Sequence, residues 1–368
     1  MTQKIMTVCG PIEGDQLGVT SMHEHVLSDC SMFRSRPRKA FISAGRSTVK
    51  PEDKLTLANR SAVRHNIALS LDNLKLDDET VMKKEVEYFK DSGGNAIVEV
   101  SAPGIRSSAA DLTAIRRISE QTGVHIIAST GLYAEYTWPD DFRQMNFTAF
   151  VKFLRDEIDT GIGESGILPG HIKAAYEVNK QPLEEYLRAA ACVSRETGLS
   201  LQVHLGPDVT PEEVWRNVIR PLLAGGCIPE KTILCHVQLL MGVLSLERLI
   251  NAPGQIPFDL SLHRQLLKQG FILSFTPFGL EADDEPLGIA HYSDWYILSG
   301  LAALIREGYA GQLVIGNDVF TKLATCHGGG EGYCRLTGFV APTLKKCGIS
   351  EQDIEQLTVH NPRKILAY

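Results

Sequence analysis

The sequence predicts an α/β fold, a single (β/α)8 TIM-type barrel. Eight short runs rich in valine, isoleucine and leucine recur along the 368 residues, and amphipathic helical patterns separate most of them. Several of these runs lack the polar alternation of a half-exposed strand, as expected of strands that are buried in a parallel sheet. Eight alternations of strand and helix close most simply into a barrel, and a doubly wound open sheet is the alternative.

The predicted strands are, in chain order, residues 19–26, 96–101, 124–130, 172–178, 199–205, 232–237, 271–276 and 313–318. Helical patterns cover residues 78–91, 111–122, 147–160, 183–197, 210–218, 260–269, 293–306, 335–346 and 350–357. The helix at 210 has a clear start, because Thr210 suits an N-cap and Pro211 suits the first helical position. We expect Pro221 to kink or end this helix before Gly225.

One segment, residues 34–74, breaks the regular alternation and is a long insertion after the first strand. Domains commonly have ~150 residues, so a chain of this length suggests two domains. A barrel, however, uses ~250 residues in one domain and more with insertions. We therefore assign residues 1–368 to one domain with an insertion at about 34–74. The insertion is expected to cover the barrel mouth or to form an oligomer interface, so a homodimer is left open.

Composition and charge exclude several classes of protein. Hydrophobic residues make up 43% and charged residues 22% of the chain, which is ordinary for a globular protein and unlike a disordered one. The net charge of −7 disfavours nucleic acid and anionic membranes as partners. The eight cysteines are scattered without a C-x-x-C pair, and the first residues lack a secretory signal. We expect reduced thiols, a cytoplasmic location and a small-molecule substrate.

Metal-ligand side chains stand near the ends of several predicted strands. His23 and His25 close the first run at positions i and i+2, so both side chains point to one face of the strand. An H-x-H pair is weak evidence by itself. The other candidates are Lys173, His204, His236 and Asp318, on the fourth, fifth, sixth and eighth runs. Because the C-terminal ends of all strands in a parallel barrel meet at one face, these side chains are expected to converge there.

Imidazole and carboxylate ligands without thiolate suit Zn²⁺ and similar divalent ions. Four histidines and one aspartate exceed the three protein ligands usual for one catalytic metal. Two metals that share a bridging ligand are the simplest interpretation. The bridge should be anionic, whereas Lys173 as a free ammonium would repel a metal.

The chain resembles the phosphotriesterase family of the amidohydrolase superfamily, close to its phosphotriesterase-related members. The resemblance runs from Gly10 to Pro362, and its markers are Thr20-Ser21-Met22-His23-Glu24-His25, His171-Ile172-Lys173, Val203-His204, Cys235-His236, Asn317-Asp318 and Asn361-Pro362. It implies a distorted (β/α)8 barrel with a binuclear metal centre. His23, His25 and Asp318 would hold one metal, and His204 and His236 the other. Lys173, carbamylated by CO₂, would bridge the two, with Glu177 and Glu99 as acidic alternatives.

The resemblance also implies metal-assisted hydrolysis, in which Asp318 is the catalytic residue that orients a water and takes its proton. Our first expectation is attack on a lactone or ester carbonyl of a small anionic substrate such as a phosphorylated sugar lactone. An amidase for N-acyl amino acids, a phosphotriesterase, and a metal-stabilised binding barrel without activity are the alternatives. Lys322, Tyr333 and Arg335 are candidate substrate contacts, since barrels often bind anions after the last strands. The glycine-rich residues 327–333 could approach an anion there, although Glu331 would oppose it.

Overall fold

The computed structural model describes residues 4–35, 48–106, 108–177, 181–207, 209–242, 251, 258–280 and 293–368. The described part of the chain starts with an antiparallel hairpin of β1 (Lys4–Thr7) and β2 (Gly10–Glu13). Part of the predicted insertion, residues 36–47, lies outside the described residues. The rest of it contains the helix Arg60–His65, and it ends at β5 (Lys75–Leu76), which pairs with β4 (Ser28–Asp29). None of the described helices is both long and apolar enough to cross a membrane.

Eight parallel strands form one sheet that is nearly closed into a barrel, which confirms the predicted fold class. They are β3 (Thr20–Glu24), β6 (Ala96–Glu99), β7 (His125–Gly131), β8 (His171–Tyr176), β9 (Ser200–Leu205), β10 (Thr232–Cys235), β11 (Ile272–Phe275) and β12 (Leu313–Ile315). Their order in the sheet follows the chain from β3 to β12. Each lies within or next to one of the eight runs of apolar residues that predicted it.

The last strand meets the first through its C-terminal end. The backbone N–H of Asp318 donates to the carbonyl of His23 at 2.9 Å. Gly316 is required at this approach, because a Cβ there would lie 2.7 Å from the backbone nitrogen of His23. At the opposite end of β12, the side-chain amide of Asn361 donates to the carbonyls of Ala310 and Leu313, both at 2.7 Å. The Asn361-Pro362 marker therefore stabilises the bottom of the barrel, away from the face where the strands end.

Helices surround the sheet and pack on it through a continuous apolar layer. The longest are Glu79–Asp91, Ala109–Thr122, Phe147–Thr160, Gln181–Thr197, Ser261–Lys268 and Asp294–Leu304. The first of them begins as its sequence predicts, because the Asp78 carboxylate accepts hydrogen bonds from the N–H groups of Thr80 and Val81.

Three prolines in helices lie just after wider, π-helical turns. Pro221 follows the π-helical segment Val214–Ile219, and the helix then continues as Arg220–Ala224 before Gly225. Pro342 and Pro362 follow similar segments, Leu336–Val340 and Gln356–His360. A proline has no N–H and its ring clashes with the carbonyl four residues earlier, so an i→i+5 turn accommodates it without ending the helix.

Candidate metal centre

The structure brings the six predicted ligands together at the C-terminal ends of the barrel strands. His23 lies on β3 and His25 just after it, Lys173 lies on β8, and His204 lies on β9. His236 follows β10, and Asp318 follows β12. The latter two adopt left-handed backbone conformations, with φ of 63° and 53°, which turn their side chains out of the strand path and over the barrel.

Asp318 is the common neighbour of three histidines. Its Oδ1 lies 3.2 Å from Nε2 of His25 and 3.5 Å from Nε2 of His23, and its Oδ2 lies 3.9 Å from Nε2 of His236. Burial raises the pKa of this carboxyl, but the hydrogen bond from His25 and the surrounding basic side chains outweigh burial and lower the pKa to about 2. The carboxylate is therefore ionised at neutral pH.

The remaining histidines complete a compact group of imidazoles. The ring of His236 lies 5.0 Å from that of His23 and 4.4 Å from that of His204, measured between centroids. Nδ1 of His236 lies 2.9 Å from the carbonyl oxygen of Thr276. A carbonyl can only accept, so Nδ1 carries the proton and Nε2 presents its lone pair to the site. Nδ1 of His25 lies 2.8 Å from the Ser101 hydroxyl oxygen.

The donor set fits a divalent cation. His23, His236 and Asp318 each offer one ligand atom, and these atoms lie within 4.8 Å of one another. Within the described ranges, Nδ1 of His23 and Nε2 of His236 are buried without a hydrogen-bond partner. Burial lowers the pKa of His23 well below its usual value and that of His236 to about 3, so both imidazoles are neutral, as metal ligands must be.

Lys173 is buried among these ligands, with 1% of its surface exposed. Its Nζ lies 3.4 Å from Nε2 of His23. In the part of the chain that the structure describes, no carboxylate oxygen lies within 4.0 Å of this nitrogen. Burial lowers the pKa of the lysine, which favours the neutral amine. Its backbone is fixed as well, because the Tyr186 hydroxyl donates to the Lys173 carbonyl.

Glu177, one of the two acidic alternatives to Lys173, lies beside His204. Its Oε1 is 3.3 Å from Nε2 of His204 and accepts a hydrogen bond of 3.1 Å from the Tyr133 hydroxyl. Glu99 is fully buried, and its Oε1 accepts a hydrogen bond of 3.2 Å from the Ser101 N–H. Burial raises the pKa of Glu99.

Glu24 is a buried residue that sequence reasoning did not single out. It stands between the two histidines of the H-x-H pair, and its carboxylate accepts hydrogen bonds from the backbone N–H groups of Asn317 and Val319. Burial raises the pKa of this carboxyl to about 8, against the effect of these hydrogen bonds, which favour the charged form. A signal for Glu24 was present in the sequence, since a carboxylate in a buried strand is rare unless it has partners.

The three predicted substrate contacts already have partners in the structure. Lys322 forms ion pairs with Asp72 at 2.8 Å and with Asp77 at 3.3 Å. Tyr333 is buried, and its hydroxyl donates to the carbonyl of His25 at 2.6 Å.

Arg335 is bound by Asp294 at 2.7 Å and by Glu331 at 2.6 Å. In the glycine-rich loop, the N–H groups of Gly328 and Gly330 donate to the hydroxyl and the carbonyl of Thr325. A substrate-binding role for this segment stays a prediction, and an anion would have to compete with these contacts.

Comparisons with known proteins cover nearly the whole chain. A model of the phosphotriesterase family matches residues 3–366. The N-acetyltaurine hydrolase of Dictyostelium discoideum is 28% identical over 99% of this chain and 97% of that protein. Among solved structures, a resiniferatoxin-binding protein from Rhodobacter sphaeroides is 26% identical, with a TM-score of 0.82 over 99% of this chain and 95% of that one. A lactonase from Listeria monocytogenes has a TM-score of 0.74 at 19% identity, over 99% of each chain, which shows a shared fold.

Proposed function

Because the chain belongs to the phosphotriesterase family and is a hydrolase, we propose that it cleaves the amide bond of a small N-acylated substrate at a binuclear metal centre. The observation that carries this proposal is the convergence of four imidazoles, Asp318 and a buried lysine at one end of the barrel. Nothing in an apolar core requires these groups to be buried together, and a cation would satisfy them.

We assign one metal to His23, His25 and Asp318, and the second to His204 and His236, with zinc as the proposed ion. Lys173 would bridge the two after its neutral amine attacks CO₂, loses a proton and becomes a carbamate. The lowered pKa of Lys173 supports this step, because only the unprotonated amine is a nucleophile. The bound cations would supply Lewis acidity toward the scissile carbonyl and make water a stronger nucleophile.

Asp318 is the proposed general base. Its Oδ1 faces His25 and His23, whereas Oδ2 is 3.9 Å from His236, which is too long for a hydrogen bond. We assign to Oδ2 the acceptance of the proton from the attacking water and its delivery to the leaving nitrogen. The carboxylate is ionised at neutral pH. The neighbouring His236 ring is held by its contact with the Thr276 carbonyl, so the site needs little reorganisation during proton transfer.

The substrate assignment favours an amide over the lactone that the sequence alone suggested first. The relative that is 28% identical over nearly the whole chain is named as a hydrolase of N-acetyltaurine. This compound is an amide of a small anionic amine. The lactonase is 19% identical and supports the fold alone. Lys322, Tyr333 and Arg335 are not part of the proposed substrate site, because each has partners of its own.

The test is a substrate panel. The protein is stripped of metal, reconstituted with zinc and bicarbonate, and assayed on N-acetyltaurine, N-acetyl amino acids, simple lactones and a phosphotriester. We expect release of acetate from one or more of the amides. Turnover of lactones alone would make the protein a lactonase and contradict the amidase assignment.

The D318N variant tests the mechanism in the same assay. The asparagine side chain is close in shape but cannot accept a proton as the carboxylate does. We expect kcat to fall by about 10²–10⁴-fold, with the circular dichroism spectrum unchanged. Full turnover in D318N would exclude Asp318 as the general base.

A further inference from the structure

We propose that Glu24 is a positioning residue whose carboxylate holds the backbone on both sides of Asp318 and thereby fixes the Asp318 side chain among the histidines. The inference rests on the proposed metal centre and concerns a residue that itself binds neither metal nor substrate. Glu24 is fully buried and lies between His23 and His25 on β3. Its carboxylate contacts the backbone of Asn317 and Val319, whereas the rings of His23 and His25 face the Asp318 side chain.

Three successive backbone N–H groups after β12 donate to residues of β3. Asn317 donates to Oε1 of Glu24 at 2.8 Å, and Val319 donates to Oε2 at 2.9 Å. Between them, Asp318 donates to the carbonyl of His23 at 2.9 Å. Neighbouring backbone N–H groups that converge on one acceptor are typical of a backbone concavity that binds acceptor oxygens. Here the acceptor for two of the three N–H groups is a side chain of the same protein.

This arrangement explains the unusual backbone of Asp318. A non-glycine residue with φ of 53° is disfavoured and persists only where its surroundings impose it. The bonds from Glu24 to the residues on either side impose it, and they aim the Asp318 carboxylate at His25, 3.2 Å away. The Ser21 hydroxyl also donates to Oε1 of Glu24, so the glutamate is itself held in place.

Among the residues that the structure describes, no cation contacts Glu24 directly. In the described segments, no lysine or arginine nitrogen lies within 4.0 Å of its carboxylate, so the three hydrogen bonds are what offset its burial. A glutamine at this position would place an NH₂ group against a backbone N–H, and one of the two backbone contacts would break. The expected consequence is a displaced Asp318 and a weaker metal site in a protein that is otherwise folded.

Glu85 offers a matched control. It is also buried, and it also accepts hydrogen bonds from two successive backbone N–H groups after β12, those of Cys326 and His327, at 2.8 and 2.9 Å. Neither of these residues is a proposed metal ligand. E85Q therefore removes the same kind of contact from the same part of the chain without touching the backbone of Asp318.

The experiment compares zinc affinity and the metal-free crystal structure of the wild type, E24Q and E85Q. In E24Q we expect zinc affinity to fall by about ten- to a hundredfold, as is typical when a partner of a metal ligand is lost, and Asp318 to leave its left-handed conformation. In E85Q we expect wild-type zinc affinity. S21A, which removes a single hydrogen bond from Glu24, is the milder variant for the case in which E24Q does not fold, and we expect it to reduce zinc affinity by a smaller factor.

Two results would overturn the role of Glu24. One is an unmoved Asp318 with wild-type zinc affinity in E24Q, or in S21A if that is the variant that folds. The other is an equal loss of affinity in E24Q and E85Q, which would indicate general destabilisation. Zinc affinity is measured without turnover, so the two proposals can fail separately. A wild type that binds zinc but hydrolyses none of the amides would contradict the proposed function. The zinc affinities of E24Q and E85Q would still decide the role of Glu24.

Discussion

Replacing Lys173 by methionine separates two roles that a buried lysine can have, a structural cation or the precursor of a metal bridge. The side chain is 1% exposed, and its nitrogen has no carboxylate within 4.0 Å among the described residues. A structural lysine at such a site would have an ion-pair partner. The metal-free protein therefore carries a buried amine that contributes no strong contact of its own.

The size of the effect follows from that environment. The effective cost of burying an ion in a protein is several kcal/mol, and removal of a buried charge in favour of an apolar side chain is often neutral or stabilising. Part of that cost is relieved in the wild type because burial lowers the pKa of Lys173. We expect metal-free K173M to be more stable than the metal-free wild type by about 1–3 kcal/mol, while its capacity for a second zinc ion and its hydrolytic activity are lost.

The assay is urea unfolding of the chelator-treated proteins at pH 7, followed by zinc content after reconstitution with zinc and bicarbonate. K231M is the control. Nζ of Lys231 donates to the carbonyls of Lys364, Ile365 and Ala367. Its replacement leaves partly buried carbonyls without this donor, so we expect K231M to lose about 1–3 kcal/mol.

Two outcomes would refute the reasoning for Lys173. A loss of more than about 1 kcal/mol in metal-free K173M, similar to that of K231M, would show that the ammonium makes a structural interaction. Two zinc ions bound per molecule of K173M would show that the lysine is not the bridge.

Two further predictions concern groups outside the metal site. Burial lowers the pKa of His171 to about 3. Below pH ~6.5 the unfolded chain binds a proton at this histidine and the folded protein does not, so the free energy of unfolding decreases as the pH falls. Between pH 7.5 and 5 the metal-free wild type should lose about 2 kcal/mol relative to H171Q in urea unfolding, and a constant difference would contradict this. A hydrogen bond from Cys326 lowers the pKa of Cys334, so iodoacetamide should label Cys334 at pH 7 more slowly in C326S. Exposed Cys347 is the internal control in the same peptide digest, and an unchanged rate at Cys334 would exclude the thiol–thiol contact.

The strands could be predicted from the sequence because each is a short apolar run whose burial on both faces removes polar alternation. The errors lie at their ends. The eighth run was predicted to continue to Asp318, but β12 ends at Ile315, because Gly316 and the next two residues turn toward β3. The effect of Pro221 was also only half predictable. Its missing N–H is visible in the sequence, whereas the wider turn that accommodates it depends on packing.

The candidate ligands could be placed because parallel strands of a barrel end at one face, so position in a run is enough to predict convergence. Glu24 could not be placed in this way, since its function depends on partners 293 and 295 positions further along the chain. The same limit applies to Lys322 and Arg335. The sequence around a charged residue does not show whether its side chain is free, and here Asp72 and Asp294 pair with these two residues from distant segments.

The closure of β12 onto β3 has a consequence for how the protein matures. His23 and His25 leave the ribosome early, whereas Asp318 and the glycine that lets β12 approach β3 leave it only when most of the chain has been made. A nascent chain that still lacks Asp318 therefore offers a metal ion histidines but no enclosed site. Under the proposed ligand assignment, stable metal loading can occur only after the seam of the barrel has closed. Metal content would then report whether translation and folding had both been completed.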